Sequence, residues 1–472
     1  MLDDSTYSFD GVYVPINEQL RHQLRRMRAR SRELAQDNDY AKRFLQLVKS
    51  NVVGTKGIQL QPRPMRDDGT LDKLDAAEIK RGWREWSRPM NCSVDGKLSW
   101  VDVQNLALES CARDGEILIH LVDVPRDAHG LRLRVIPGEY LDELQNGDLP
   151  NGNRIVMGIE YSAAGVVVAY HVRKNTVRAW DNVFPERDYI RLPAIDVIHL
   201  HRTEYADQAR GVPWLYSAIR RLHMAGKYEE AELFAAYAGA CKMGAYIEGE
   251  VDSMQPNEIA GDDDGSIDED EGEHIEHLEI GQIKKYPKGS SFEWFDPTHP
   301  TTAFDGFMKF ILQGAASGLG VANHSLTGNL SDVNFSSIRS GVLEDRENWR
   351  ALQGWVVEHL HERVYDRWIR SAMLNGKVKL PFRKLETKYL ERAWQPRGWP
   401  GIDPKKESDS HLQNIKAGLD SRTNILAQQG RDIEDVYSEL EQETARAAEL
   451  GISIEQLDKA AVQVKEVIED ED

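Results

Sequence analysis

The longest helical pattern of the sequence runs from Ser337 to Leu374 without a proline. Its apolar positions include Ile338, Leu352, Trp355, Val356, Leu360, Val364 and Trp368. Their spacing predicts one α-helix of roughly 38 residues, about 57 Å long at ~1.5 Å per residue. A helix of this length exceeds the width of a small domain, so the chain is expected to contain an extended scaffold.

Length and charge limit what surrounds this helix. The chain has 472 residues, of which 40% are hydrophobic and 29% charged, and its formal net charge is −19. Since a domain usually holds about 100–200 residues, two to four substructures are expected. The negative charge excludes a protein that grips nucleic acid over its whole surface, but it is compatible with one that encloses DNA without holding it.

The cysteines and the apolar segments indicate the compartment. Cys92, Cys111 and Cys241 are odd in number and widely spaced. They predict reduced thiols and neither a disulfide framework nor a metal cluster. The acidic N-terminus predicts no signal peptide. The most apolar window, residues 233–247, is shorter than the ~20 residues that span a bilayer, so no membrane segment is expected.

Short apolar runs in residues 52–201 are typical of β-strands. They are 52–61, 116–122, 131–136, 155–161, 166–172 and 196–201, with a hairpin at 162–165. Helical spacing appears at 16–36, 39–50, 71–87 and 101–113. Antiparallel sheets with helices packed on them are the simplest arrangement, so the sequence predicts an α+β fold.

An arginine-rich segment, RHQLRRMRARSR (21–32), lies in the first predicted helix. Such a segment contacts DNA or an acidic partner in some proteins and is a solvated helix face in others. Both interpretations stay open at this point.

The chain changes character after residue 210. A helix with Pro213 in its first turn is predicted over 211–242, and its second half is rich in Ala and Gly. Small residues let helices approach closely, so this helix is expected to have neighbours on more than one side. Residues 248–273 then contain twelve Asp or Glu and no Lys or Arg, which predicts a solvated loop.

The C-terminal third contains two further patterns. KVKLPF (377–382) is expected to be a short strand, followed by a loop rich in Trp and Pro. Residues 418–440 predict two packed helices with a stop at Gly430.

No enzyme motif is present: neither a Walker A loop, nor G-x-S-x-G, nor H-E-x-x-H occurs. We therefore predict no catalytic residue, no cofactor and no bound metal. His199 and His201 share one face of a predicted strand and could hold a metal, but ordinary packing or hydrogen bonding is the simpler interpretation.

Two other features admit a ligand. Asp262, Asp264 and Glu271 fall on ligand positions of a calcium loop if Gly265 is its sixth residue, yet Ala260 occupies the first, which favours a solvated loop. The tryptophans Trp394 and Trp399 could stack on bases, but anchoring of an irregular loop is the simpler interpretation.

Residues 318–340, GLGVANHSLTGNLSDVNFSSIRS, lead into the long helix. The stretch has three glycines but lacks the lysine and the spacing of a phosphate-binding loop. It is expected to be a loop hinged by glycine between two helices.

Four stretches, in order, resemble the portal proteins of lambda-like tailed bacteriophages. They are SNVVGTKGIQLQPR (50–63), HRTEYADQARGVPWLYSAIRRL (201–222), the region 295–350 that contains GLGVANHSLTGNL, and the region 398–442 from GWPGIDPKKESDS to SELEQE. The resemblance spans most of the chain. It implies a portal fold with an α/β wing, a two-helix stem, a clip, a long wing helix and an α-helical crown, assembled as a ring-shaped homo-oligomer that typically has twelve subunits.

The resemblance also implies a division of the chain. The expected parts are 1–210 wing, 211–243 stem helix, 244–296 clip with the acidic loop, 297–320 second stem helix, 321–335 tunnel loop, 336–404 long wing helix and wing return, and 405–472 crown.

The implied function is a non-enzymatic channel at one capsid vertex, through which DNA is packaged and ejected. The implied partners are other copies of the chain, the terminase large subunit, head–tail connector proteins, major capsid and scaffold proteins, and double-stranded DNA without sequence specificity. The implied location is the virion after assembly in the host cytoplasm, with no membrane association. The competing interpretations are an acidic monomeric adaptor and a metal-dependent virion hydrolase.

Two sets of residues are predicted to carry this function. The tunnel-loop contacts to the DNA backbone are Asn323, His324, Ser325, Thr327, Asn329, Ser331 and Asn334. The acidic clip surface that docks partners is Asp262, Asp263, Asp264, Asp268, Glu269, Asp270 and Glu271.

Overall fold

Two units make up the chain in the computed structural model: one joins Met1–His223 to Ile311–Asp472, and the other is Met224–Phe310. The structure describes residues 14–125, 127, 129–174, 188–240, 244–247, 291–294, 304–331, 335–401 and 403–451. Helices and antiparallel strands are mixed within these residues, which confirms the α+β prediction.

In the described part of the chain, five helices precede the first large sheet. They are α1 (Ile16–Asp37), α2 (Asp39–Val48), α3 (Lys73–Trp86), α4 (Pro89–Cys92) and α5 (Trp100–Asp114). Leu20 and Leu24 lie one turn apart on α1 and are both buried, as helical spacing requires. α5 begins at a capping box, in which the Asp102 amide donates to the Ser99 hydroxyl and the Ser99 amide donates to the Asp102 carboxylate.

The described strands form four antiparallel sheets. They are β1 (Gln59–Pro62), β2 (Glu116–Asp123), β3 (Leu131–Pro137), β4 (Gly147–Asp148), β5 (Arg154–Val156), β6 (Ile159–Tyr161), β7 (Val167–Arg173), β8 (Tyr189–Pro193), β9 (Val197–His201), β10 (Gly244–Ile247), β11 (Ser291–Trp294) and β12 (Arg392–Gln395). One sheet has the order β3–β2–β9 and another β4–β5–β6–β7–β8, while β1 pairs with β12 and β10 with β11. The hairpin predicted at 162–165 joins β6 to β7.

Three strand predictions are corrected. The run 155–161 is two strands, because Met157 adopts a φ of 48° and turns the chain between them. Only the end of the run 52–61 is a strand, since Lys49–Val53 continues α2 as a π-helical turn. KVKLPF (377–382) forms no strand, whereas Arg392–Gln395, which was expected in a loop, is β12.

A buried ion network joins α1, β2, β9 and the chain that leads out of β9. The Glu116 carboxylate accepts hydrogen bonds from Arg28 Nη2 at 2.5 Å, Arg210 Nε at 2.8 Å and the Gly211 amide at 2.8 Å, and it bonds His199 Nε2 at 3.0 Å. Burial alone would raise the pKa of Glu116, but the Arg210 and Arg28 guanidinium groups hold this pKa well below its usual value. Arg28 is therefore an internal residue, not part of a solvated or DNA-binding face.

Two helices cross the boundary between the units: α6 (Ile219–Ala240) and α7 (Phe304–Leu319). The prediction that Pro213 lies in the first turn of α6 is wrong, because Pro213 precedes a separate 3₁₀ turn over Trp214–Ser217. Within the Met224–Phe310 unit, the Tyr228 ring stacks on Phe304 with a centroid separation of 5.5 Å.

The predicted long helix is present. After the short helix α8 (Asn323–Thr327), it consists of α9 (Phe335–Val356), a π-helical turn (Val357–His361) and α10 (Glu362–Leu374). Both ends of the π turn keep right-handed helical dihedral angles, so the helix continues through it. Its Trp368 ring packs edge-on against Trp83 of α3 at 5.0 Å, in a buried aromatic cluster that also contains Trp86, Trp100, Tyr365 and Trp394.

The described C-terminal region is helical. It contains α11 (Pro404–Lys416), α12 (Arg422–Gln428) and α13 (Ile433–Glu449). The stop predicted at Gly430 is confirmed, because this residue has a φ of 78° between α12 and α13. The backbone of Gly398 lies so close to this turn that a Cβ atom there would be 2.2 Å from the Gln429 carbonyl carbon.

Candidate functional site

The candidate site is the linking segment, residues 320–334, between α7 and α9. Gly320 follows α7 with a φ of 68°, and Gly328 follows α8 with a φ of 71°. Both glycines have the left-handed conformation that other residues rarely adopt, so the chain turns at two defined points. The short helix between them corrects the expectation of a loop throughout 321–335.

The N-terminal end of α8 is held by a residue of another helix. Ala322 precedes α8 and has no polar side chain to cap it. Asp345 of α9 fastens this end instead: its carboxylate accepts from the Ala322 amide at 2.8 Å and from Ser325 Oγ at 2.7 Å. Asp345 is only 6% exposed, so both bonds are shielded from water, where a charged acceptor is most effective.

Further contacts hold the same end of the segment. Arg43 of α2 donates from Nε to the Ser325 carbonyl at 3.3 Å, and Asn348 of α9 donates from Nδ2 to the Gly320 carbonyl at 3.2 Å. His324 packs where α9 has Gly341, at which a Cβ atom would lie 2.9 Å from the His324 ring. Residues 320–327 are thus docked on α2 and α9.

The chain beyond Gly328 is exposed. Asn329, Leu330 and Ser331 all lie at the surface, and Leu330 is 57% exposed. The amide and the hydroxyl of Ser331 donate to Asn329 Oδ1 at 2.9 and 2.7 Å, and the Asn329 amide donates to Thr327 Oγ1 at 3.2 Å. Of the predicted loop residues, only Asn334 lies outside the described residues.

Two docked residues carry buried polar atoms without a hydrogen-bond partner among the described residues. They are Asn323 Oδ1 and His324 Nε2. An unsatisfied buried group costs about 1–3 kcal/mol. The bonds made by Asp345 offset part of this cost. The free energy of docking α8 is therefore the difference between the gain from the Asp345 bonds and the cost of the two unsatisfied atoms.

A second feature is an exposed apolar surface on α6, here called the α6 face. Its members are Leu233, Phe234 and Tyr237, which are 72%, 72% and 70% exposed. They lie on one side of the helix, because Tyr237 is four positions after Leu233 and three after Phe234. Soluble monomers rarely expose apolar patches of this kind, so the α6 face indicates an interface.

The acidic set lies outside the described residues. It comprises Asp262, Asp263, Asp264, Asp268, Glu269, Asp270 and Glu271. Its role in docking, and the calcium alternative for Asp262, Asp264 and Glu271, stay predictions.

The histidine pair is used internally. His199 and His201 lie on the same face of β9 with ring centroids 4.3 Å apart, as predicted. His199 bonds Glu116, while burial, together with the neighbouring His199, lowers the pKa of His201 to about 3. No group of three potential metal ligands occurs among the described residues.

The two tryptophans anchor the chain that contains β12, as predicted. Trp394 Nε1 donates to Glu362 Oε1 at 2.7 Å, and Trp399 Nε1 donates to Asn51 Oδ1 at 3.1 Å. The Trp394 ring lies 5.9 Å from that of Trp83 in the aromatic cluster.

Two further observations concern the cysteines and the helices of the described residues. Cys92 and Cys111 are free and buried. Among the described helices, none combines the length and the apolar character needed to cross a bilayer.

Sequence reasoning missed the residues that dock α8. Asp345 is one of several acidic residues in LEDREN (343–348), twenty positions from Ser325, and no spacing rule connects the two. The one signal in the sequence is Gly341, because a glycine within a helix suggests close packing against another residue. The sequence does not show that this residue is His324.

Comparisons with known proteins give a family match, similar portal proteins and a weak likeness to solved structures. The family model described as phage portal protein, lambda family, matches residues 5–353. The chain is 33% identical over 428 residues to a probable portal protein of Halomonas phage phiHAP-1, covering 90% of this chain and 81% of that protein. It is 21% identical over 460 residues to portal protein B of Escherichia phage lambda, covering 90% and 84%. Among solved structures, the neck of an empty gene transfer agent particle aligns with a TM-score of 0.45 at 13% identity, covering 89% of this chain and 96% of that one. On the family match and the Halomonas phage relative, this chain belongs to the lambda family of phage portal proteins.

Proposed function

We propose that copies of this chain assemble into a closed ring, typically of twelve subunits, at one vertex of a phage capsid. The ring is the channel through which DNA enters during packaging and leaves during ejection. The chain itself performs no catalysis, and a separate motor supplies the energy for DNA movement.

Family membership carries this proposal, and the α6 face supports it. Burying a large apolar side chain stabilises an assembly by about 1.5–3 kcal/mol. The three members of the α6 face are exposed apolar residues that a neighbouring copy would cover. The second half of α6 is also rich in Ala and Gly, which permits close helix packing.

The charge of the chain suits a channel that DNA slides through. A ring of twelve copies carries a formal charge of roughly −230, given −19 for each chain. Affinity for DNA depends on Lys and Arg contacts to phosphate, so an acidic ring holds the duplex weakly.

The linking segment is the part of the chain proposed to face DNA. Its predicted contacts, Asn323, His324, Ser325, Thr327, Asn329, Ser331 and Asn334, are polar side chains other than Lys and Arg, which position a phosphate backbone without binding it tightly. The exposure of Asn329 and Ser331 supports this role.

The remaining assignments follow from the same family. The acidic clip residues dock the terminase large subunit and then the head–tail connector proteins, while the outer parts of the ring contact the capsid and scaffold proteins. The ring assembles in the host cytoplasm and remains in the virion.

The experiment is a packaging assay with capsids whose portal carries a rigid Pro/Ala sequence in place of residues 323–331. We expect packaging or retention of DNA to fall while the ring still assembles. Normal packaging and retention by this variant would exclude the proposed role of the segment.

A further inference from the structure

The linking segment has two parts that differ in their contacts. Residues 320–327, here called the anchor, bond to α2 and α9 through Arg43, Asp345 and Asn348. Residues 329–331, here called the arm, are exposed and bond to Thr327 and to one another. Gly328, at a φ of 71°, separates the two parts.

Asp345 holds a special place among the anchor contacts. It accepts from both the amide of the residue that precedes α8 and a hydroxyl in its first turn, so one carboxylate holds both that residue and the helix in place. The contact from Arg43 is longer, at 3.3 Å, and Arg43 is an exposed residue. The bond from Asn348 reaches only the end of α7, at the Gly320 carbonyl.

We propose that Asp345 is the positioning residue of the channel segment: it docks the anchor on the long helix, so that the arm alone is presented to the phosphate backbone of the DNA. This narrows the set of seven predicted DNA contacts: Ser325 holds the anchor through its bond to Asp345, and Asn329 and Ser331 are the donors that meet the duplex. The identity of the cargo rests on the function proposed above, whereas the docking by Asp345 does not.

Hydrogen exchange of the purified full-length protein tests the docking. Asp345→Ala removes both bonds, and a net hydrogen bond is worth about 1 kcal/mol, or roughly a factor of five. We expect amides of residues 320–327 to exchange at least about tenfold faster, because local opening becomes easier, while residues 362–374 keep their wild-type rates.

Glu344→Ala is the matched control. Glu344 is the exposed neighbour of Asp345 on the same helix, so this variant removes the same charge without a contact to α8. Ser325→Ala is the second variant: it removes one of the two bonds and is expected to accelerate exchange about fivefold. If Asp345→Ala unfolds, the exchange rates of Ser325→Ala decide whether Asp345 docks the anchor. Wild-type exchange of residues 320–327 in both Asp345→Ala and Ser325→Ala would overturn the proposal.

Crosslinking separates this inference from the proposed function. A photoreactive residue in place of Leu330, in the arm, is expected to crosslink to packaged DNA, and Asp345→Ala should reduce the yield at least about fivefold while ring assembly is unchanged. Unchanged crosslinking in Asp345→Ala would contradict the positioning role. If the wild-type arm does not crosslink either, the DNA contact is wrong, and the exchange rates still decide whether Asp345 docks the anchor.

Discussion

The Glu116 carboxylate and the Arg210 guanidinium form an ion pair in which both side chains are fully buried. Arg210 also donates to the Met157 and Gly138 carbonyls, at 2.9 and 2.7 Å, so it ties three separate parts of the β-rich region together. Because Arg210 directly precedes the GVPWL sequence that leads into α6, this ion pair fixes the point at which the chain leaves the β-rich region.

Loss of the Glu116 carboxylate is expected to destabilise the folded chain strongly. Glu116→Gln leaves Arg28 and Arg210 buried without their counter-charge, and breaking a buried pair in this way costs about 3–5 kcal/mol. Denaturant unfolding followed by circular dichroism measures the loss. Glu139→Gln, which removes a half-exposed partner of Arg32, is the control and is expected to change stability by less than about 1 kcal/mol. Equal stability of the two variants would contradict the role of the network.

Acid is expected to weaken the long helix through His361. Burial lowers the pKa of His361 from 6.5 to about 4 in the folded chain. Between these values the unfolded chain binds a proton that the folded chain does not, so stability falls as pH falls from about 6.5 to about 4, by at most ~3 kcal/mol. His361→Gln removes this dependence, whereas His359→Gln, at an exposed position of the same π turn, should keep it. Melting temperatures between pH 7 and pH 5 distinguish them, and parallel slopes for all three proteins would refute the assignment.

Gly398, which packs against the turn at Gly430, is expected to tolerate no side chain. A Cβ atom at Gly398 would lie within 2.4 Å of backbone atoms of Gln428, Gln429 and Gly430. Gly398→Ala must therefore separate the loop after β12 from the turn after α12 and lower the melting temperature. Gly354→Ala is the control, since nothing lies within 4 Å of that Cβ position in α9, and it is expected to stabilise the chain by about 0.5–1 kcal/mol. A stabilised Gly398→Ala variant would show that this contact is absent in solution.

Polar substitution on the α6 face is expected to impair assembly without unfolding the chain. Phe234→Ser removes a side chain that is 72% exposed, so the single chain loses little packing, whereas an assembled ring loses buried apolar area. Native mass spectrometry should show a shift towards smaller species. Leu74→Ser, at a site in α3 that is 78% exposed, is the control and should assemble as the wild type does. Full assembly of Phe234→Ser would place the interface elsewhere.

Sequence patterns predicted those elements that depend only on residues close together in the chain. The long helix, the hairpin at 162–165 and the stop at Gly430 depend on spacing and on turn residues within a few positions of each other. The pairing of β1 with β12 was missed because it joins residues more than three hundred positions apart, and neither strand shows an alternating run of useful length.

The position of the linking segment between two helices, and its glycines, could be derived from the sequence, but α8 could not. This short helix is held by bonds to Asp345, which belongs to another helix and lies twenty positions from Ser325. The Glu116–Arg210 pair was missed for the same reason, because its partners are 94 residues apart and burial alone makes the pair visible.

Electron microscopy of the purified full-length protein tests the central claim, that this chain forms the ring of a phage portal. The account predicts closed rings with a central hole wide enough for a DNA duplex. Single-chain particles at every protein concentration would contradict it.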